Sequence, residues 1–235
     1  MADQQQHIDQ SERLLSSIEP GDTPILYWSQ AEPEGVVLGF SQKHIILHQA
    51  HLPIYQRRAG GTAVHVGPHL LSLDVVLPAG HPLILADIVE SYRWFGEAWA
   101  AALLRLGIQA RVVSPAEAHA QQALLKQPET REYEALLRRA CYGSLSPYEV
   151  VIGQRKVVGL DMIRRRVGSL LQAGVLLQWQ PETLVCLLGH TQQEQVQLYE
   201  GLSKRATGLD IIAGRTIAAD EIVAAFTHII TTNFD

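Results

Sequence analysis

Apolar and polar positions follow two rhythms along this chain, one near two residues and one near three and a half, and their order gives a first reading of the elements. A helix is expected from about His7 to Ile18, where Ile8, Leu14, Leu15 and Ile18 fall on one face and Pro20-Gly21-Asp22 stops it. Short β-rich runs follow at Thr23 to Trp28, Val36 to Phe40 and Ile54 to Arg58, separated by Pro, Gly and polar clusters. Leu70 to Leu77 is apolar or alternating up to Pro78-Ala79-Gly80. From Ile84 to Leu106 the residues Ile84, Ile88, Tyr92, Phe95, Trp99, Leu103 and Leu106 recur at steps of three and four, and Gly107 closes the helix they predict. That stripe reads as core and not as a cofactor site.

A strand is expected at Ala110 to Val113. Ser114-Pro115 followed by Glu117 then has the form of a capping box with proline at the first helical position, opening a polar helical stretch towards Arg139 that breaks at Gln127-Pro128. Tyr148 to Ile152, Val157 to Ile163 and Ser169 to Leu177 read as a β-meander, with Gly153-Gln154-Arg155 as its first turn. The tail from Pro181 is helical by pattern, with Ile222, Val223, Phe226, Ile229 and Ile230 on one face of its last helix. Helices mixed with hairpin-linked strands, without regular βαβ alternation, predict an α+β fold. No repeat, Gly/Ser linker or charge block divides the chain, so residues 1–235 are expected to form one domain, with 205–235 a possible small helical extension.

Composition narrows the setting. Of 235 residues, 47% are hydrophobic and 18% charged, enough apolar content for a sizeable core and too much for disorder. A net charge of -5 gives no global reason to bind nucleic acid or an anionic membrane. Apolar runs are broken well before the length of a membrane span, and Met1 to Gln6 has no basic or apolar leader character, so a soluble, cytoplasmic protein is expected. The two cysteines, Cys141 and Cys186, form no CxxC pair, which suits a reducing compartment and leaves room for a reactive thiol.

Three segments carry candidate chemistry. In Arg57-Arg58-Ala59-Gly60-Gly61-Thr62-Ala63-Val64 adjacent glycines allow close backbone approach to a ligand, and arginines supply bidentate donors for an anion. A hairpin turn with solvated arginines fits the same residues. Neither a Walker loop nor a GxGxxG fingerprint is present. Lys156 sits where a turn enters a strand, with Gly159 three residues on, placed to stabilise charge developing on a carbonyl or phosphate oxygen; a plain surface lysine is the alternative. Cys141 follows two arginines, which favours a thiolate, whereas Cys186 lies between Val185 and Leu187 and reads as an inert core residue. His65 and His69 are four apart, but glycine and proline intervene and no cysteine or carboxylate completes a helical ligand set, so no metal site is expected. Asp74 and Asp161 are possible acid/base groups that nothing in the sequence pairs. Arg164-Arg165-Arg166 reads as a solvated face or a dock for an acidic partner.

Taken in order, these segments resemble the lipoate–protein ligase A family, within the biotin/lipoate ligase superfamily. Tyr27-Trp28 with Val36-Val37-Leu38-Gly39-Phe40-Ser41-Gln42 is similar to the family's opening strand pair. The Arg57–Val64 segment is similar to its arginine–double-glycine loop, Lys156-Val157-Val158-Gly159 to its K-x-x-G lysine, and Gln172-Ala173-Gly174-Val175-Leu176 to the strand after it. Ala206-Thr207-Gly208-Leu209 and Gly214-Arg215-Thr216 also look familial. The resemblance implies a mixed, largely antiparallel sheet flanked by helices, with the site across the sheet surface. Some members are ATP-dependent ligases; others are transferases that carry an octanoyl or lipoyl group on a cysteine shortly before the lysine. Cys141, 15 residues before Lys156, resembles the transferases.

The implied activity is therefore acyl transfer through a Cys141 thioester to a lysine of a lipoyl domain. Lys156 and loop N–H groups would stabilise the oxyanion, and the Leu70–Leu77 strand would wall the acyl chain. Arg57, Arg58, Gly60, Gly61, Thr62, Ala63, Ser72 and Gly159 are the implied substrate-binding positions. The implied acceptors are lipoyl domains of 2-oxoacid dehydrogenase subunits and the glycine cleavage H protein, and the implied donors octanoyl-acyl carrier protein or octanoylated H protein. No cofactor is needed on this reading; ATP and magnesium would be needed by a ligase, and a non-catalytic lipoyl-domain-binding relative is the third reading. Two departures matter. The family's His-Asp pair after Ala-Val is replaced here by Val66-Gly67, which leaves the donor open, and Leu160-Asp161-Met162-Ile163 replaces a polar segment, so no nucleotide contact carries over there.

Overall fold

A computed structural model of the chain describes residues 3–42 and 51–233. Six strands form one antiparallel sheet: Ile25–Ser29 (β1), Leu70–Pro78 (β5), Gly168–Leu176 (β9), Arg155–Arg164 (β8), Val150–Ile152 (β7) and Arg111–Val112 (β6), neighbours in that order. Three more, Gly35–Leu38 (β2), Ile54–Gln56 (β3) and Val64–Val66 (β4), form a small mixed sheet with β2 central, parallel to β3 and antiparallel to β4. The expected α+β class holds, and the meander is the β7-β8-β9 part of the large sheet.

Strand alternation gives that sheet two unlike faces. On one, Leu71, Leu73, Val75 and Leu77 join Val158, Leu171, Ala173 and Val175 against the helices Arg93–Arg105 (α2) and Ala219–Asn233 (α8). Phe226 of α8 lies with its ring 4.3 Å from Trp99 and 5.7 Å from Trp28, edge-on to the latter. Each of these buried side chains contributes about 1.5–3 kcal/mol by leaving water. The last helix therefore closes the main core and does not stand off it.

The helix expected from Ile84 starts nine residues later, at Arg93, after a 3-10 turn at Glu90–Tyr92. Leu85, Ile88 and Val89 are exposed. Local side-chain bonds displace the first turns: Asp87 Oδ1 accepts the N–H groups of Val89 at 2.7 Å and Glu90 at 3.2 Å, and Ser91 Oγ accepts that of Leu85 at 3.0 Å. The first helix, Gln4–Ser17 (α1), is present, but its buried stripe is Gln4, His7, Ser11 and Leu15, with Ile8 and Leu14 only half-buried. A polar stripe turned inward marks a polar environment beneath it.

Only half of the expected capping box forms, because the Glu117 carboxylate is taken by Arg111 at 2.8 Å and does not return to Ser114. Ser114 Oγ accepts the Glu117 N–H at 3.2 Å, Pro115 opens Pro115–Ala123 (α3), and Pro128 opens Pro128–Leu137 (α4). The helices Glu182–Leu188 (α5) and Gln192–Arg205 (α6) pack with α4 over β2, burying Leu137, Leu184, Leu188, Leu198 and Leu202 beside Val36. Cys186, expected in the core, is exposed. The helical period puts Leu184, Val185, Leu187 and Leu188 inward and leaves position 186 on the outer face. A short helix, Leu209–Ala213 (α7), links α6 to α8.

Candidate active site

The other face of the large sheet carries small and polar residues. The cross-strand register sets Ser72 (β5), Gly174 (β9) and Gly159 (β8) in one row, and Asp74, Gln172 and Asp161 in the next row on the same face. With little side chain in the first row, the sheet surface becomes the bed of a cavity of about 830 Å³, roofed by α1, the Arg57–Ala63 loop and the segment after α4. Leu70 and Ser72 line it, whereas Leu71, Leu73, Val75 and Leu77 belong to the opposite core. The apolar wall expected of the whole Leu70–Leu77 strand is thus confined to its start, because successive side chains point to opposite faces.

Cys141 opens a 3-10 turn directly after α4 and is half-buried on the cavity wall. Its N–H donates to the Ala63 carbonyl at 2.9 Å, and the Ala63 N–H donates to the Arg139 carbonyl at 3.2 Å. Ala63, fully buried, is therefore the stitch that fastens the double-glycine loop to the cysteine, and it is not among the residues that line the cavity. Lys156 arrives from β8 and is 1% exposed. Its Nζ donates to the carbonyls of Cys141 at 2.9 Å and Ser144 at 3.2 Å, and lies 2.7 Å from Glu149 Oε1. Three donors meet three acceptors, so the ammonium is fully engaged, and its first task is to hold the cysteine turn. Burial works against its charge, but the electrostatic pull of Cys141 and Glu149 and the bond to Glu149 outweigh that, so its pKa is raised above the ordinary lysine value.

Tyr142, the next residue, is buried beneath the lysine, with Nζ 5.1 Å from its ring centre and its hydroxyl donating to the Gly174 carbonyl at 2.7 Å. A methyl group at Gly159 would meet Lys156 Cε at 3.2 Å, and one at Gly174 would meet the Tyr142 hydroxyl at 2.9 Å. The bare bed is what lets these two side chains lie flat on the sheet. Glu149 also accepts the N–H groups of Ser146 at 2.7 Å and Leu160 at 3.3 Å, which satisfies a carboxylate that is 2% exposed.

The loop itself is held by Arg57. Its Nε donates to Gly60 O at 3.0 Å and to Asp161 at 3.3 Å, and its Nη2 to Thr62 O at 3.1 Å. Asp161 feels burial raising its pKa and Arg57 lowering it, with burial the larger. Gly61 has φ +78°, and a side chain at Gly39 would strike the Gly61 carbonyl at 2.0 Å, so the loop folds back onto the end of β2 only with glycine at both places. Gly61 and Thr62 line the cavity. Gly60 is exposed, and Arg58 points outward, 69% exposed and 3.6 Å from Glu12. The neighbouring arginines therefore part company, as alternate residues leaving a strand do. Arg164 and Arg165, expected to be solvated, tie β8 to its surroundings through Ser91 at 2.7 Å and Glu12 at 2.7 Å.

At the α1 side of the cavity Asp74 is 1% exposed. It accepts from Gln172 Nε2 at 2.9 Å and from the Ser11 hydroxyl, with His7 Nε2 3.2 Å away. The register that pairs Gln172 with both Asp74 and Asp161 answers the question the sequence left open. His7, Ser11, Tyr142 and Glu149 were not singled out from the sequence. A signal existed for α1, whose i, i+4 polar pair His7 and Ser11 lies in register with Leu15.

This α+β fold has solved counterparts. The fold is similar to one chain of a bi-partite lipoate–protein ligase from Thermoplasma acidophilum (TM-score 0.75, 18% identity, 98% of this chain and 79% of that one), and to a lipoate–protein ligase A solved with ATP (TM-score 0.68, 18% identity, 97% and 79%). The chain belongs to the family of the lipoyl protein ligase A/B catalytic domain, whose family model matches residues 3–231. Among curated relatives it is similar to the octanoyltransferase LipM of Exiguobacterium sp. strain AT1b (28% identity, 77% of this chain, 62% of that protein) and of Exiguobacterium sibiricum (26%, 92% and 77%). It therefore spans between about three-fifths and about three-quarters of the length of these two relatives. Among the described residues no helix is long and apolar enough to cross a membrane.

Proposed function

We propose that this protein is an octanoyl/lipoyl protein N-acyltransferase that works through a Cys141 thioester. The observation that carries the reading is the bond from Lys156 Nζ to the Cys141 carbonyl, which sets a cysteine and a buried cation at the edge of a cavity bedded on Ser72, Gly159 and Gly174. In the first step Cys141 Sγ attacks the carbonyl carbon of an octanoyl thioester; the donor's C–S bond breaks and the donor thiol leaves with a proton. In the second, the neutral ε-amine of a lipoyl-domain lysine attacks the acyl-enzyme. An amide forms, the C–S bond to Cys141 breaks, and the proton of the tetrahedral intermediate passes to solvent as the Cys141 thiolate is regenerated.

Because the Lys156 hydrogens are already committed, the lysine acts through its field on the thiolate and by holding the turn, while backbone N–H groups of the Gly61–Thr62 loop serve the oxyanion. Arg57 keeps that loop in place through Asp161. Lipoyl domains are the acceptors; octanoyl-acyl carrier protein or octanoylated H protein is the donor, in a cytoplasmic setting that keeps the thiol reduced. This route uses no nucleotide and no metal.

Incubation with each octanoyl donor followed by intact mass is expected to show one octanoyl adduct that disappears in Cys141→Ala. Lipoate-dependent pyrophosphate exchange without an adduct would instead establish an adenylate-forming ligase. Lipoyl-domain binding with neither would establish a non-catalytic relative.

A further inference from the structure

On the far side of the small sheet a second cluster stands apart from the cysteine. Val64 and Val66 line the acyl cavity, and His65 between them points the other way. There its ring lies 4.2 Å from that of His69, and its Nε2 is 3.3 Å from the carboxylate of Glu34. His69 Nδ1 is 4.0 Å from the other Glu34 oxygen. The two imidazoles are 3% and 4% exposed, while Glu34 is half-exposed at the rim. The pairing of β2 with β4, which aligns Gly35 with Val66 and Val36 with His65, brings a glutamate 31 positions upstream to the two histidines. Local spacing offers no such ligand.

The hydrogen bonding of His69 has a particular form. Its Nε2 is 3.1 Å from the His65 carbonyl, an acceptor only, so the proton sits on Nε2. Nδ1 then presents a lone pair, buried and without a hydrogen-bond partner, towards a carboxylate that is also an acceptor. Two acceptors facing one another with no proton between them are unfavourable unless a cation lies there. An imidazole whose second nitrogen is anchored to a backbone carbonyl is also the arrangement found around bound metals. Gly67 leaves room for it: a methyl group there would sit 2.9 Å from His69 Nδ1 and 2.7 Å from Glu34 Cγ.

We propose that Glu34, His65 and His69 bind a divalent transition-metal ion, zinc above all, at a site separate from the acyl cavity. One donor atom from each residue lies within 4.8 Å of the others. Two zinc bonds of about 2.1 Å at a tetrahedral angle set their donors roughly 3.4 Å apart, so loading draws the widest-set donors together by about 1.4 Å. Two neutral imidazoles and one carboxylate, with the outer position left to water, suit zinc or cobalt and not magnesium or calcium. Bound there, the ion ties the β1–β2 loop to the β4–β5 connection, whose other side, through Val66 and Leu70, lines the acyl cavity.

Full-length protein stripped with chelator and titrated with Co²⁺ is expected to take up one ion per chain, with a visible ligand-field band and no thiolate-to-metal charge transfer. Zinc is expected to displace the cobalt and to raise the melting temperature. Glu34→Gln, at an exposed position, should keep the apo melting temperature and weaken binding by roughly tenfold or more, and His69→Gln should do the same to binding. Cys141→Ser should leave it unchanged. The proposal is overturned if no saturable binding occurs below millimolar Co²⁺, if both ligand variants bind as wild type does, or if the signal depends on Cys141.

Discussion

The strand Leu70–Pro78 shows two solutions to burial within one segment. Its helix-side residues, Leu71, Leu73 and Val75, share an apolar core with Trp99 and Phe226 and carry no polar side-chain group of their own to satisfy. Its cavity-side residues, Ser72 and Asp74, join a layer in which Lys156, Glu149 and Asp74 are all 2% exposed or less and each has a partner of opposite charge or a set of hydrogen bonds. The first face stabilises without being able to react. The second spends burial on holding charges in place, which water would otherwise screen, and stays open along its row of small residues. Buried ion pairs give little net stability and lose much when halved, so the two faces should answer mutation differently.

The largest contrast is in activity. Cys141→Ala is expected to lower transfer by roughly a thousandfold or more, while Cys186→Ala, on the exposed side of α5, leaves it intact; acyl-enzyme formation by mass reads both. Next, Lys156→Met strands Glu149 in the interior and should cost about 3–5 kcal/mol in urea melts as well as abolishing transfer. Adding Glu149→Leu to that variant turns the charged layer apolar. Stability is expected to recover while transfer stays absent, and a double variant that regained activity would contradict the role given to the lysine. On the opposite face, Leu73→Ala should cost about 2–5 kcal/mol with the rate per folded molecule unchanged.

Smaller effects test the bed of the cavity and the surface. Ser72→Val should shift stability by less than about 1.5 kcal/mol, yet reduce transfer from an octanoyl donor more than from a hexanoyl one, as chain-length profiles would reveal. The smallest effect is expected at Glu221, whose side chain accepts from Arg215 at 2.7 Å and whose pKa falls from the ordinary 4.5 to about 2, chiefly through that bond. Since the folded value lies below the unfolded one, its contribution is present above about pH 4.5 and disappears as the pH falls towards 2. Melting curves of wild type and Glu221→Gln should therefore converge in acid, and the gap at neutral pH should be slight because the pair is exposed.

Several particulars were legible without coordinates because they are local. Ser114 caps α3 and Pro115 opens it as their spacing says, and Pro128 opens α4. The meander strands fall where alternation put them, and the order of the Arg-Gly-Gly loop, Cys141 and Lys156 pointed to the family. Errors also have local causes. Apolar periodicity extended α2 through Leu85 and Ile88, where Asp87 and Ser91 bond the backbone instead. Cys186 looked buried because its neighbours are, although a helix turns each successive residue by about 100°. The i, i+4 spacing of His7 and Ser11 in register with Leu15 marks the inward stripe of α1, but what it faces, Asp74 and Gln172, lies on distant strands.

By itself the sequence determined the kinds of elements, their order and the residue types available for the proposed acyl transfer, since periods of two and 3.6 residues and capping chemistry act over a few positions. Only the tertiary structure decided which arginine of the pair faces the loop, which face of β5 is core, and which acceptors take the Lys156 protons. It also decided that Glu34 meets His65 and His69. Those outcomes depend on strand register and on contacts between segments tens of residues apart, and a shift of one residue in register would have exchanged the two faces of the sheet.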